Sequence, residues 1–167
     1  MRTTRLWIIL SCCLFSLALS AQLRKPGLWE MTTLMTWQQS PMPPGMPAGA
    51  NNPFGGGPRT TQVCLTQAQI DKYGAPVSES RDSQVTNIVK TSTSMKAEMV
   101  CTGKMNGKGT LESTFGDGIH AKGKVHFVGT LQAGPQGSRP VEWTSESTST
   151  YKGPDCGNVK PLPMSDK

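Results

Sequence analysis

The chain has 167 residues, of which 17 are basic and 11 acidic, so its formal net charge is +6. This length fits one domain with a real core, and the basic residues are scattered rather than gathered on one face with interleaved aromatic residues. The composition therefore argues against a nucleic-acid-binding protein, and we expect no nucleic acid among the partners.

The first 21 residues have the three parts of a cleavable secretory signal. Arg2 and Arg5 precede an apolar run from Leu6 to Leu19, and small residues close the run at Ser20 and Ala21. The run is shorter than the roughly 20 apolar residues that a membrane-spanning helix needs. We therefore predict that residues 1–21 are removed, that the mature protein is periplasmic or secreted, and that it has no membrane span.

After the predicted signal, larger apolar side chains alternate with more polar ones along the chain, with a period of two. At the first such segment, Trp29, Met31 and Trp37 fall on one side, and Glu30 and Thr32 fall on the other. Alternation rich in aromatic and β-branched residues indicates strands with one more apolar face. The segments with this pattern are Leu28–Trp37, Val85–Thr93, Met95–Thr102, Thr110–Phe115, Lys124–Leu131 and Val141–Tyr151.

Turn-forming residues lie between these segments at the spacing of β-hairpins. Asn106-Gly107, Asp117-Gly118 and the glycines of 134–137 supply residues that tolerate the positive φ of tight turns. Strand follows strand without a helical crossover, so the pairing is antiparallel. We predict an all-β fold, an antiparallel meander forming a small barrel or sandwich over residues 22–157, followed by a flexible tail at 158–167.

Two segments break the alternation. Residues 40–58 are crowded with proline, glycine and methionine, which predicts a long loop. Thr66–Tyr73 is the one clear helical signal, because Thr66 can cap the first turn and Gln69 can return a hydrogen bond to the Thr66 amide. Gly74 is expected to end this helix.

Three cysteines follow the predicted signal, namely Cys64, Cys101 and Cys156. In an oxidising compartment two cysteines are expected to form a disulfide, and an odd number leaves one thiol over. Their spacing is too wide for a Cys-x-x-Cys redox motif. All three pairings stay open at this point.

No catalytic constellation is visible in the sequence. Nucleophilic catalysis needs a nucleophile beside a base, and His120 and His126 are the chain's two imidazoles. The alternation puts both histidines on the solvent side with Lys122 and Lys124, where positive charge disfavours a metal cation. We therefore expect no enzyme activity, no cofactor and no metal held by these histidines.

Four short motifs carry a resemblance to a known family. They are KPGLWEMTT at Lys25–Thr33, VCLT at Val63–Thr66, MVCTG at Met99–Gly103 and YKGPDCG at Tyr151–Gly157. With these motifs the chain resembles the domain-of-unknown-function 3617 family of small secreted or periplasmic proteins from Gram-negative bacteria. The family has no established activity, cofactor or partner, so the resemblance implies no functional residue.

The resemblance also bears on the disulfide. Members of that family often have a further cysteine between the positions of Cys64 and Cys101, whereas this chain has none there and has Ser83 in the corresponding stretch. If the missing cysteine is the partner of the first one, Cys64 is free. The resemblance then implies a bridge between Cys101 and Cys156.

The leading functional hypothesis is a non-catalytic β domain of the cell envelope that binds a hydrophobic small molecule or a lipid. Small β-barrels enclose ligands when side chains do not fill their interiors. The candidate lining residues are Trp29, Trp37, Trp143 and Tyr151.

Two alternatives involve the loop at residues 40–58. The loop could contact another envelope protein, which would make the chain an interaction module. Alternatively, Met42 and Met46 within it could hold copper, since thioethers are soft ligands that suit Cu(I).

Overall fold

The computed structural model of the protein describes residues 24–42, 57–132 and 137–164. The predicted signal segment lies outside these residues, and so does most of the predicted loop at 40–58. Both stay predictions. Within the described ranges, no helix is long and apolar enough to cross a membrane.

The described chain forms one antiparallel sheet of seven strands and one short helix. From edge to edge the strand order is β2-β1-β7-β6-β5-β4-β3, so β3 to β7 form a meander and β1 and β2 extend it beyond β7. The helix α1 spans Gln67–Tyr73. The strands are β1 Gly27–Gln39, β2 Arg59–Leu65, β3 Ser83–Lys90, β4 Ser94–Thr102, β5 Met105–Thr114, β6 His120–Gln132 and β7 Ser138–Gly153.

The period-two pattern places the apolar residues on one face of the sheet, which we call the inner face. Two apolar clusters lie on it. Cluster 1 packs Trp29, Met95 and Phe115 of the sheet against Ile70 and Tyr73 of α1. Cluster 2 packs residues at the other end of the inner face, namely Cys101, Phe127, Val141 and Trp143. The predicted alternation is therefore confirmed, and removing these side chains from water is the main source of stability.

The all-β prediction is confirmed, but among the described residues the sheet is not closed into a barrel and no second sheet faces it. In the part of the chain that the structure describes, β2 and β3 are the two edges and do not pair with each other. Over cluster 1, α1 and the segment after it already cover the inner face. Ala75 and Val77 belong to cluster 1 together with α1, so they bury apolar surface that a closing strand would otherwise cover.

The helix forms as the sequence predicts. The Thr66 hydroxyl accepts a hydrogen bond from the Gln69 amide at 3.2 Å, and Gln69 Oε1 accepts one from the Thr66 amide at 2.9 Å. Gly74 ends the helix with φ of 70°, a conformation that glycine adopts without strain. Strand β2, in contrast, was not predicted. It is an edge strand whose first four residues are exposed, so it lacks the alternation of a half-buried strand.

The disulfide prediction was wrong: the bond joins Cys64 to Cys156, and Cys101 is a buried free thiol. The sheet order explains this pairing. Leu28 of β1 pairs with Cys64 on one side and with Gly153 of β7 on the other, so the chain after β7 needs to cross only one strand to reach Cys64. Cys101 instead lies at the level where β7 begins, at the opposite end of that strand from Cys156.

The chain after the disulfide has specific partners, which the prediction of a flexible tail did not include. Pro161 forms a β-bridge with Cys64. Gln69 Nε2 donates to the Leu162 carbonyl at 2.9 Å, and the Glu79 amide donates to the Pro163 carbonyl at 3.2 Å. This part of the tail therefore packs beside α1.

Ser83 lies directly opposite Cys101 across β3 and β4, with its hydroxyl 3.8 Å from the thiol. A cysteine at position 83 would therefore face Cys101 across the two strands.

Replacing Cys64 and Cys156 by alanine is expected to lower the free energy of unfolding by about 3–4 kcal/mol, because the bridge closes a loop between residues 92 positions apart. Urea unfolding measures this loss. The control Cys101→Ser is expected to lower it by about 1 kcal/mol or less. Peptide mapping without reduction that linked Cys101 to either other cysteine would contradict the observed pairing.

Replacing Ser83 by cysteine is expected to create a second disulfide, with Cys101, and to raise the free energy of unfolding by about 2–3 kcal/mol. In protein without residues 1–21, which contain Cys12 and Cys13, thiol titration then finds no free thiol in the oxidised variant, and reductant abolishes the gain. Ser83→Ala is the matched control and gives no gain. A titratable Cys101 in oxidised Ser83→Cys protein would show that the two strands do not pair in this register.

Candidate functional site

Small and hydroxyl-bearing residues separate the two apolar clusters on the inner face. One row of paired residues crosses the sheet through Thr33 of β1, Ser147 of β7, Gly123 of β6 and Ser113 of β5. On β7 the residues flanking Ser147 on the same face are also serines, at 145 and 149. These short side chains leave the middle of the inner face lower than the clusters on either side.

A cavity of about 190 Å³ lies over this row. Its roof is the segment Ala75–Val77 that follows α1, and its floor includes the serines of β7. Met31, Met95 and Val125 add apolar wall. Gly123 keeps the floor low on β6, since a Cβ there would come within 2.7 Å of the Ser147 hydroxyl. The cavity therefore combines an apolar wall with a hydroxyl-lined floor.

Arg24 is a buried cation in the wall of this cavity. The residue is 4% exposed, and its Nη2 donates to the Ser149 hydroxyl at 2.9 Å. The guanidinium lies 4.9 Å from the centre of the Trp29 ring and 5.9 Å from that of Phe115, within range of cation–π attraction. Burial lowers the pKa of Arg24 to about 10, which leaves it charged at neutral pH.

Most of the hydrogen-bonding capacity of Arg24 is unused. Within the described residues, Nε and Nη1 are buried and have no hydrogen-bond partner. These two atoms carry three of the five N–H donors of a guanidinium. A buried donor without a partner costs about 1–3 kcal/mol, and more when the group is charged.

The charged residues beside the cavity do not compensate Arg24. Glu112 and Lys124 lie at its margin, but their side chains point to the outer face and are more than half exposed. There Glu112 pairs with Lys96 at 2.9 Å, and Lys124 pairs with Glu146 at 3.5 Å. The interior of the cavity therefore carries the positive charge of Arg24.

The four predicted lining residues form the core instead of the wall of this cavity. Trp29 and Tyr151 pack edge to face with ring centres 5.4 Å apart, next to Arg24. Trp143 stacks on Phe127 at 5.5 Å, and Trp37 packs against cluster 2. Trp29 and Tyr151 thus lie together in cluster 1, and Trp37 and Trp143 lie together in cluster 2.

The two histidines lie on the outer face, apart from the cavity. His120 contacts Asp117 at 2.6 Å, and His126 contacts Glu142 at 2.9 Å. Hydrogen bonds from His120 and from two backbone amides hold the pKa of the Asp117 carboxyl well below its usual range. Among the described residues, no three histidine, cysteine or acidic side chains form a metal-binding group. Met46 lies outside the described ranges, so copper binding with Met42 stays a prediction.

Arg24 was missed by the sequence reasoning, and the reason is local. It precedes β1, so no strand alternation assigns it to a face. A single arginine outside any strand pattern is ordinarily solvated. The serines at alternate positions of β7 were the available signal, since they placed polar residues on a face that is otherwise apolar.

The fold and this cavity define a class of protein, a small all-β domain with one open sheet. A short helix and the segment after it cover part of the inner face and leave a partly polar cavity. The model of the family described as "Protein of unknown function (DUF3617)" matches residues 24–156. This range covers most of the chain, and the protein belongs to that family. No curated protein and no solved structure matches the chain.

Replacing Arg24 by methionine is expected to raise the free energy of unfolding of ligand-free protein by about 1 kcal/mol. Burying a guanidinium costs several kcal/mol, more than its contacts with Ser149 and Trp29 return, and methionine keeps the apolar contacts. Urea unfolding of protein refolded from denaturant measures the change. Ser149→Ala is the comparison variant: it removes the hydroxyl that accepts from Arg24 and is expected to lower the free energy of unfolding by about 1.5–3 kcal/mol. A loss of 2 kcal/mol or more in Arg24→Met would make Arg24 a structural residue.

Proposed function

We propose that this protein is a non-catalytic binding protein of the cell envelope, and that it holds a small amphiphilic molecule between the inner face of the sheet and the segment Ala75–Val77. The observation that carries the proposal is the cavity of about 190 Å³ between two packed clusters. Well-packed interiors have few voids larger than a water molecule, and this partly open cavity is much larger than that.

The size and lining of the cavity restrict its occupant. Sites for drug-sized ligands measure roughly 300–1,000 Å³, so this cavity suits a smaller molecule or one end of a longer one. Apolar residues such as Leu111 and Val125 would contact a hydrocarbon portion, and the serines of β7 would contact a polar portion. Serine hydroxyls here have no imidazole beside them, because both histidines lie on the outer face, which supports binding rather than catalysis.

A larger groove, of about 520 Å³, lies on the outer face over Leu34, Lys122 and Glu146. Its side chains are exposed and partly engaged in cross-strand ion pairs, such as Lys124 with Glu146. Exposed ion pairs contribute little energy and readily exchange with water. We therefore assign the ligand to the smaller, better enclosed cavity.

The location of the protein is part of the proposal. The sequence of residues 1–21 has the pattern of an export signal, and the Cys64–Cys156 disulfide is of the kind that persists in oxidising compartments. Both observations favour the periplasm or the extracellular space. The two loop-based alternatives, a protein contact through 40–58 and copper binding by Met42 and Met46, depend largely on residues outside the described ranges.

Filling the cavity is expected to remove the bound molecule. We would purify wild-type protein, Ser147→Leu and Thr148→Leu from the oxidising compartment and record native mass spectra. Leucine at 147 extends into the cavity, whereas Thr148 is exposed on the outer face and lines the larger groove. Wild type and Thr148→Leu are expected to carry an additional mass that Ser147→Leu lacks, while all three keep the disulfide. Retention of that mass by Ser147→Leu, or its absence from wild type, would contradict the proposal.

A further inference from the structure

The polar groups that a molecule in the cavity can contact are hydroxyls. The floor includes Ser145 and Ser147 of β7, which are only half-buried. Among the described residues, neither of these two hydroxyls has a hydrogen-bond partner. Ser113 of the same floor, in contrast, donates to the Lys122 carbonyl at 3.1 Å. The floor therefore presents two hydroxyls that no described residue uses.

Arg24 gives the floor a preference for hydrogen-bond acceptors. Its Nη2 donates to the Ser149 hydroxyl, so the oxygen of that hydroxyl is the acceptor and its own proton is directed away from the guanidinium. No residue in the described ranges accepts a hydrogen bond from Ser149. Nε and Nη1 of Arg24 are buried and do not serve a ligand, but the positive charge still acts across the cavity. A head group that accepts hydrogen bonds therefore suits this floor better than one that donates them.

The lining disfavours both kinds of ion. A cationic head group would be repelled by Arg24, and the carboxylate at the margin, that of Glu112, points to the outer face and pairs with a lysine there. An anionic head group would lose its hydration and meet neutral hydroxyls, because Lys124 also points outward and the remaining donors of Arg24 are buried. Attraction to a charge that it does not touch repays only part of that desolvation cost. An uncharged head group avoids the cost.

Building on the proposed function of the cavity, we infer that its ligand is an uncharged aliphatic molecule with a ketone or ester carbonyl, whose oxygen accepts hydrogen bonds from the Ser145 and Ser147 hydroxyls. The hydrocarbon portion then lies along Met31, Met95 and Val125. This arrangement gives an acceptor to hydroxyls that have none in the described chain. It also accounts for serine at 145 and 147, since alanine would keep the floor equally low without a hydroxyl.

The first part of the test compares head groups on wild-type protein. Protein-detected NMR titration of full-length mature, disulfide-intact protein, stripped by denaturation and refolding, would use hexan-2-one, hexanoate and hexylammonium, which have chains of similar length. We expect hexan-2-one to bind about tenfold or more tightly than either ion, because each ion must leave water without a partner of opposite charge. This comparison needs no variant, so it holds even where a substitution impairs folding.

The second part assigns the carbonyl to the two serines. It adds 2-methylhex-1-ene, in which a CH2 group replaces the carbonyl oxygen of hexan-2-one, so the shape is kept and the acceptor is lost. The double variant Ser145→Ala/Ser147→Ala is expected to weaken hexan-2-one binding about fivefold or more and to leave the affinity for the alkene within about twofold. Thr148→Ala/Thr150→Ala is the matched control, because it removes two exposed hydroxyls from the outer face of the same strand, and both affinities are expected to stay unchanged.

The outcomes separate this inference from the proposed function. Hexanoate or hexylammonium that binds wild type as tightly as hexan-2-one would overturn the uncharged class. A double serine variant that changes the affinities for hexan-2-one and the alkene equally, or changes neither, would overturn the role of the serines. If wild type binds none of the four probes while native spectra still show a mass that Ser147→Leu lacks, the carbonyl assignment falls and the binding function stands. If that mass is absent as well, both fall.

Discussion

The inner face of a single open sheet must be kept from water, and this requirement governs the rest of the structure. Seven strands present two apolar clusters on that face, whereas the cover that packs on cluster 1 is a helix of seven residues and the segment after it. This cover packs fully on cluster 1. Because it is short, it leaves space above the small residues next to that cluster. Within the described residues, the cavity is thus a consequence of how short the segment covering the sheet is.

A short cover needs anchors, and the chain supplies them on both sides of α1. The Cys64–Cys156 disulfide joins the strand before α1 to the chain after β7. Gln69 combines two tasks, since it completes the capping box with Thr66 and donates to the Leu162 carbonyl. Beyond the helix, Glu79 connects Tyr73 to the Val85 amide of β3. An isolated helix of two turns is marginal in water, so these contacts are what keep it on the sheet.

What the sequence could predict follows from the range of the interactions involved. Alternation is a local pattern, so it predicts the strands of the meander and the inward orientation of Trp29, Phe127 and Trp143. The capping box of α1 is also local, because it depends on two residues three positions apart. The sheet order is not local: whether Cys64 lies near Cys156 depends on β1 joining β7, which no pattern in either strand specifies. The cavity depends on four strands contributing small residues at one level, and Arg24 reaches it from outside any strand.

Cluster 2 shows how the chain fills space at one end of the inner face, away from the cavity. In cluster 2 the Phe127 ring lies over Gly107 and Gly129, where a Cβ would come within 2.9 Å of the ring, and Phe127 is fully buried. At Gly123 a Cβ would come within 2.7 Å of the Ser147 hydroxyl, so glycine and serine keep this level of the inner face low. Leucine or valine in place of Ser145 and Ser147 would bury more apolar surface, at roughly 25 cal/mol per Å². The serine-lined floor and a buried guanidinium with unpartnered donors in the described chain both lower the stability of the protein, so the chain forgoes apolar packing at the level of the inner face where the cavity lies.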